Sequence, residues 1–205
     1  EQEMRELGRA LDRTEEAERF CAWHARWMKA IQEKVEGVAR RPSVYVESYG
    51  DYQAAGPTSG GHEMCVMAGG RNISEEMAIP FPRVTSEWVV TRNPEVIVKA
   101  GSFSSGYGSL DSVAALNKRR DAIMQRPAWN LIQAVASGRV HVLDSAIWVG
   151  PRAVVGLAYL VEWMQPGLLG DVRAEALHRE YLETFQKLPY KGVWVSDPVG
   201  GSSGK

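Results

Sequence analysis

Apolar or small residues recur along the first part of the chain at Leu7, Leu11, Ala17, Cys21, Met28, Ile31, Val35 and Val38, with His24 on the same stripe. The steps are mostly three or four residues, which places these positions on one face of a helix spanning roughly 5–40. Asp12 followed by Glu15 resembles a capping box, so a break is expected there. At 1.5 Å per residue the part from 14 to 40 would run for about 40 Å. That is long for a helix on one small sheet and suits a strut between two lobes. A dimerising coiled coil is the other use of such a stripe, but it would leave Trp23 and Trp27 outside the seam.

After Pro42 the period changes. "SVYVE" (43–47), "EVIVK" (95–99) and "RVHVLD" (139–144) read as strands. Helices are expected over 62–70, 86–92, 111–124, 127–138, 153–164 and 171–187, closed by Gly69-Gly70, Asn93-Pro94 and Pro166-Gly167 among others. Residues 71–84 read as irregular, and 191–205 as a flexible tail. Strands alternating with helices predict an α/β fold with a mostly parallel sheet covered on both faces.

Composition narrows the function classes. Of 205 residues 44% are hydrophobic and 24% charged, with a net charge of −1. There is apolar material for a sizeable core and no basic footprint for nucleic acid. No apolar run approaches the ~20 residues that span a bilayer. The opening "EQEMRE" carries no secretion-signal pattern, and a chain that begins inside a helical pattern without Met is expected to be a piece of a longer protein. Cys21 and Cys65 are far apart and form no CxxC, so two buried free thiols are expected, with a single disulfide as the alternative.

Three loops leave the carboxyl ends of the strands, where open α/β sheets bind ligands. The first carries Tyr49, Tyr52, Thr58 and Ser59. The second carries Ser102, Phe103, Ser104 and Tyr107, and the third Ser145, Trp148 and Arg152. Flat aromatic faces, hydroxyls and one guanidinium suit a large, partly apolar ligand. Thr58, Ser59 and neighbouring amides are also a candidate anion nest. Catalytic motifs are lacking: there is no HExxH, no GxSxG and no GxGxxG, and the terminal "GGSSGK" only mimics a phosphate loop. Asp51, Asp111 and Asp144 read as turn formers or caps. His62, opening a helix beside a glycine loop, is the one histidine placed for a ligand contact.

The order of "MCVMAGGRNI", "PFPRVTSEWVVTRNPEVIV", "AWNLIQAVASGRVHVLD" and "GPRAVVGLAYLVEWMQP" resembles the C-terminal lobe of periplasmic substrate-binding proteins that serve ABC importers of iron-siderophores, haem and cobalamin. The resemblance covers about residues 5–190. It implies a three-layer α/β/α, Rossmann-like lobe over 42–190, preceded by an inter-lobe helix within 1–41, with an N-terminal lobe completing the ligand cleft. It implies an extracytoplasmic location, with or without a membrane anchor, and no enzymatic activity. No cofactor is implied, since the ligand itself would carry iron or cobalt. Relatives that bind molybdate-type oxyanions are an alternative, and a chelatase-like α/β enzyme domain is a further one. In the family's pattern the glutamate of "VTSEWVVTRNP", Glu87, faces the permease and pairs with its arginines. Thr85 stands where Ser is more usual. The expected partners are thus permease subunits, the other lobe and a small-molecule metal complex.

Overall fold

The computed structural model describes residues 1–103 and 110–199. Two helices open the chain, α1 (Gln2–Ala10) and α2 (Thr14–Glu36). Then come β1 (Ser43–Glu47), α3 (Gly60–Met67), β2 (Arg71–Asn72), α4 (Ser86–Arg92) and β3 (Val96–Gly101). α5 (Ala114–Met124), α6 (Gln133–Ala136), β4 (Val140–Asp144), α7 (Ala153–Met164) and α8 (Ala174–Thr184) complete the order. The four strands are parallel, in the order β2-β1-β3-β4. This is the α/β sheet with helices on both faces that the pattern predicts.

Strand alternation sorts the core into two layers. Val44, Val46, Val96, Val98, Ala100 and Leu143 face α2, α3, α7 and α8. Tyr45, Ile97, Val140 and Val142 face the other way, with Val89, Leu116, Ile123, Trp129 and Ile132. Near-continuous apolar strands follow from burial on both sides.

The opening helix differs from the single element expected. Asp12 takes a left-handed backbone (φ 54°) and the chain folds back into a helical hairpin. Gly8 permits the approach: a Cβ there would lie 2.4 Å from that of Ala17. The Asp12–Glu15 box does not form, because Arg13 is the N-cap and no side chain caps the helix. α2 lies along the lobe, where Phe20 and Trp23 pack against Tyr181 and Phe185. Arg26 and the Trp27 indole both donate to Glu180, at 3.0 and 3.2 Å. Cys21, Ile31 and Val35 of the predicted stripe are buried in the core as well, so this part of the stripe packs on the lobe and is not left for a dimer seam.

Two more segments depart from the sequence reading. Residues 71–72 form an edge strand, with Ile73 N donating to Val44 O. The segment after Lys191 is not a loose tail as far as Val199. Val193 bridges Leu110, and Val195 bridges Leu143 antiparallel to it. Asp144 N donates to Trp194 O, and Ser196 N to Val142 O, both at 2.8 Å. Trp194 is buried. These bonds satisfy the open edge of β4, which is otherwise a site for unwanted strand pairing.

Candidate functional site

The strand order runs outward from β1 to β2 and then returns across β1 to β3. The switch in direction falls between β1 and β3, the place where such sheets open a ligand crevice. Here the register sets Glu47 beside Lys99, each on the strand face toward α4 and α5. Both side chains are buried, at 0% and 1% exposure. Glu47 Oε1 lies 3.1 Å from Lys99 Nζ. Arg126, just past α5, donates two bonds to the same carboxylate, at 2.7 and 2.9 Å. The Tyr45 hydroxyl and the Tyr52 amide each add a bond at 3.1 Å. Burial lowers the Lys99 pKa, and its attraction to Glu47 opposes that shift. For Arg126 burial also works against the charge, but bonding to Glu47 outweighs it and the pKa is raised.

Lys99 does more than neutralise Glu47. Its ammonium donates to the carbonyls of Ser48, Tyr49 and Gly50 in succession, the latter two at 3.1 and 2.9 Å. One buried cation thus fixes the turn that follows β1. Arg126 spans the next residues. Its guanidinium lies 4.3 Å from the centre of the Tyr52 ring and 4.6 Å from that of Trp129, and it bonds Asp51 at 3.1 Å. Arg119 holds Asp51 from outside at 2.9 Å. Sequence reading passed over this cluster. The available signal was a pair of opposite charges ending two otherwise apolar strands, "SVYVE" and "EVIVK", at matching positions.

The cluster governs how the first loop is displayed. The Tyr49 side chain is half exposed, while its carbonyl is anchored by Lys99. Tyr52 is partly buried under Arg126, with a left-handed backbone (φ 57°). Thr58 is exposed, also left-handed (φ 63°). Ser59 is buried and occupied: its hydroxyl donates to Gly56 O at 2.7 Å and accepts from His62 N at 3.2 Å as the N-cap of α3. His62 Nδ1 meets Asn72 Nδ2 at 3.1 Å. The expected anion nest therefore loses its serine hydroxyl to the fold.

The second and third loops meet. Phe103 N donates to Asp144 Oδ2 at 2.8 Å, and the Ser102 and Ser145 hydroxyls are 3.1 Å apart. Asp144 also accepts from Ala146 N, as the turn former expected. The Phe103 ring closes over Gly101, partly exposed. Ser104 and Tyr107 lie outside the described residues. Trp148 is a core residue rather than a surface platform. It is buried against Gly61, where a Cβ would meet its ring at 3.3 Å. Arg152 is buried too, and lines a concavity of about 410 Å³ with Val149, Tyr181, Gln186 and Leu188. A second concavity of about 220 Å³ between Leu7, Phe20, Pro151 and Phe185 is apolar and lies among the helices.

A further exposed aromatic stands beside the first loop. The segment 80–84 runs antiparallel to 52–56, with Ala54 N donating to Pro82 O, Gly56 N to Pro80 O and Val84 N to Tyr52 O. It holds Phe81 outward at 48% exposure, and Ile79 just before it is exposed too. An aromatic between two prolines, "PFP", was the signal in the sequence.

The same segment leads into α4. Thr85 caps the helix, its hydroxyl accepting from Trp88 N at 3.2 Å, and Asn93 closes it in the left-handed conformation (φ 43°). Glu87 stands exposed in the first turn. Its own amide and the Thr85 hydroxyl hold its carboxyl below the usual range. Among the described residues no cation forms an ion pair with it, whereas Arg92 on the same helix is occupied over the Trp88 ring at 3.9 Å. Among the described residues no cluster of His, Cys, Asp and Glu could hold a metal ion, and no helix is long and apolar enough to cross a membrane.

Comparison with known proteins bears on the fold and the family. The chain is 40% identical over 62 residues to a vitamin B12-binding protein of Yersinia pestis (strain Pestoides F), a match covering 28% of this chain and 21% of that protein. Its fold matches a TroA-like periplasmic binding protein, FepB, from Veillonella parvula, with a TM-score of 0.81 and 20% identity over 95% of this chain and 60% of the other. The molybdate-bound periplasmic binding protein MolA of Haemophilus influenzae matches with a TM-score of 0.74 and 18% identity, over 93% and 56%. The chain thus spans about three fifths of these solved structures. A family model described as periplasmic binding protein matches residues 1–147. The chain belongs to the periplasmic binding protein family.

Proposed function

We propose that this chain is the C-terminal lobe of a solute-capture protein that delivers a bulky metal complex, a corrinoid, haem or ferric siderophore, to an ABC permease. It acts outside the cytoplasm, without catalysis, and docks through Glu87. The observation that carries the reading is Glu87 itself. A carboxylate held outward on a capped helix terminus, ionised and with no ion-pair partner among the described residues, is a ready acceptor for arginines of a second protein. Charge–dipole compensation accounts for its place in the first turn but not for its exposure without a partner, and both roles are compatible. The ligand side is supported by Tyr49, Phe81 and Phe103, three at least partly exposed aromatics on the strand-end loops and the segment bonded to them. The vitamin B12-binding relative favours a corrinoid. The oxyanion reading is weaker, because the Ser59 hydroxyl already donates and accepts within the chain.

The test has two arms. The intact protein is titrated with cyanocobalamin, haemin, a ferric hydroxamate and molybdate by calorimetry. Tight binding of one of the first three supports the reading, and tight binding of molybdate alone overturns it. In reconstituted importer vesicles Glu87→Ala is expected to leave ligand affinity unchanged and to lower uptake. Unchanged uptake removes the docking role once the equivalent surface of the other lobe has been altered too.

A further inference from the structure

The exposed helix α4 and the strand-end loop are joined by a continuous chain of contacts through one side chain. Arg126 grips Glu47 with two bonds and Asp51 with a third. Its other surface lies on the rings of Tyr52 and Trp129. Trp129, fully buried, donates its indole N–H to the Ser86 hydroxyl at 2.9 Å. Ser86 in turn donates to Pro127 O at 3.3 Å, which closes the path back to the residue after Arg126. Ser86 is the first residue of α4 and the immediate neighbour of Glu87. Asn93, at the other end of α4, accepts from Gln133 N at 2.7 Å, so the segment after Arg126 holds the short helix at both ends.

A seven-residue helix cannot hold its own orientation, since isolated helices of that length are marginal. Buried ion pairs are also poor sources of net stability, because desolvation offsets their attraction. What a fully bonded buried network supplies is fixed geometry. From this arrangement we propose that Arg126 is a positioning residue: it registers the Glu87 helix against the 48–52 loop, so that the docking carboxylate and the turn bearing Tyr49 move as one body. The functional weight of this link rests on the docking role of Glu87, while the link itself stands on the geometry.

Amide hydrogen exchange on the intact protein tests it. Arg126→Met is expected to raise exchange roughly tenfold or more, both at Tyr52 and at Trp88 to Val90. The central-strand amides of Val46 and Val98 report any loss of global stability, and their rates should rise by less than those at Tyr52 and Trp88 to Val90. A merely structural role would move all of these together. Trp129→Phe keeps a ring under Arg126 but removes the indole N–H, and should loosen Trp88 to Val90 while leaving Tyr52 protected. Arg126→Lys keeps the charge without the planar fork, and should fall between wild type and Arg126→Met. If Arg126→Met frees Tyr52 but leaves α4 protected, the link is overturned. Should that variant fail to fold, Trp129→Phe with α4 exchanging as in wild type overturns it equally. A Glu87→Ala protein that still docks, alongside coupled exchange in Arg126→Met, supports the link and removes only the docking role.

Discussion

His178 should make the fold acid-sensitive, and replacing it by phenylalanine should remove that sensitivity. The ring is fully buried on α8, 4.2 Å from the Trp194 ring and 5.7 Å from that of Tyr190, both edge-on. Among the described residues neither nitrogen has a hydrogen-bond partner. Burial, reinforced by the nearby Arg152 cation, lowers its pKa to about 3. The unfolded chain binds a proton near pH 6.5. Between these values the unfolded state carries the extra proton, so the neutral ring's contribution is complete above pH 6.5 and is lost as pH falls toward 3. Linkage over that interval gives a loss of about 2–3 kcal/mol between pH 7 and pH 4.5. Urea titrations of wild type and His178→Phe at both pH values measure it. With an m of about 2 kcal/mol/M, the wild-type midpoint should drop by about 1 M more than the variant's. His141, stacked on Trp163 at 4.4 Å and also lowered to about 3, titrates in both proteins and cancels in the difference. Equal midpoint shifts in the two proteins would show that His178 is not held neutral by the fold.

Three further outcomes are expected. Glu47→Gln leaves the buried Lys99 without its carboxylate and strips Arg126 of its main one, so it should cost about 3–5 kcal/mol in urea unfolding. Pairing it with Lys99→Met should recover part of that loss, since the two sites couple directly. Trp194→Ala opens a cavity under the segment that covers β4, with an expected loss of about 3–5 kcal/mol by the same titration. Burial pushes the Cys65 thiol up to about 12 and Cys21 is buried too, both unbridged. A thiol reagent at pH 8 should therefore label neither until denaturant is added, and prompt labelling of the native protein would contradict their burial.

The architecture was legible because period and punctuation agree. Apolar strands of five or six residues, each followed by a glycine- or proline-bounded connection, leave little besides a parallel sheet. Local chemistry was legible where it depends on neighbours in sequence, as with Thr85, Glu87 and Asn93 on α4. What could not be read depends on register. Glu47 and Lys99 are 52 residues apart and meet only because Val44 pairs with Val96. Ser59, Trp148 and Arg152 read as surface groups because loops usually are exposed. Here the first is spent capping α3, and the other two are buried under α3 and beside α8. The segment 192–199 looked loose because Gly, Pro and Ser dominate its surroundings, yet Trp194 has enough apolar area to seat it.

The occupied switch point bears directly on how a ligand could be held. In an open α/β sheet the crevice between β1 and β3 would receive the ligand; here the Lys99 ammonium sits at that point, hydrogen-bonded to three carbonyls and ion-paired with the Glu47 carboxylate. A captured molecule cannot enter that crevice without breaking a buried charge network. Under the proposed function the ligand lies on the outer surface of the loops, with Tyr49, Phe81 and Phe103 as its candidate contacts. A bulky ligand held by exposed loop aromatics of one lobe keeps much of its own surface in water unless a second surface closes from the opposite side. Under the proposed function this explains why rigidity is concentrated at Lys99 and Arg126: a half-site that cannot enclose its ligand gains affinity chiefly by having its loops already in place.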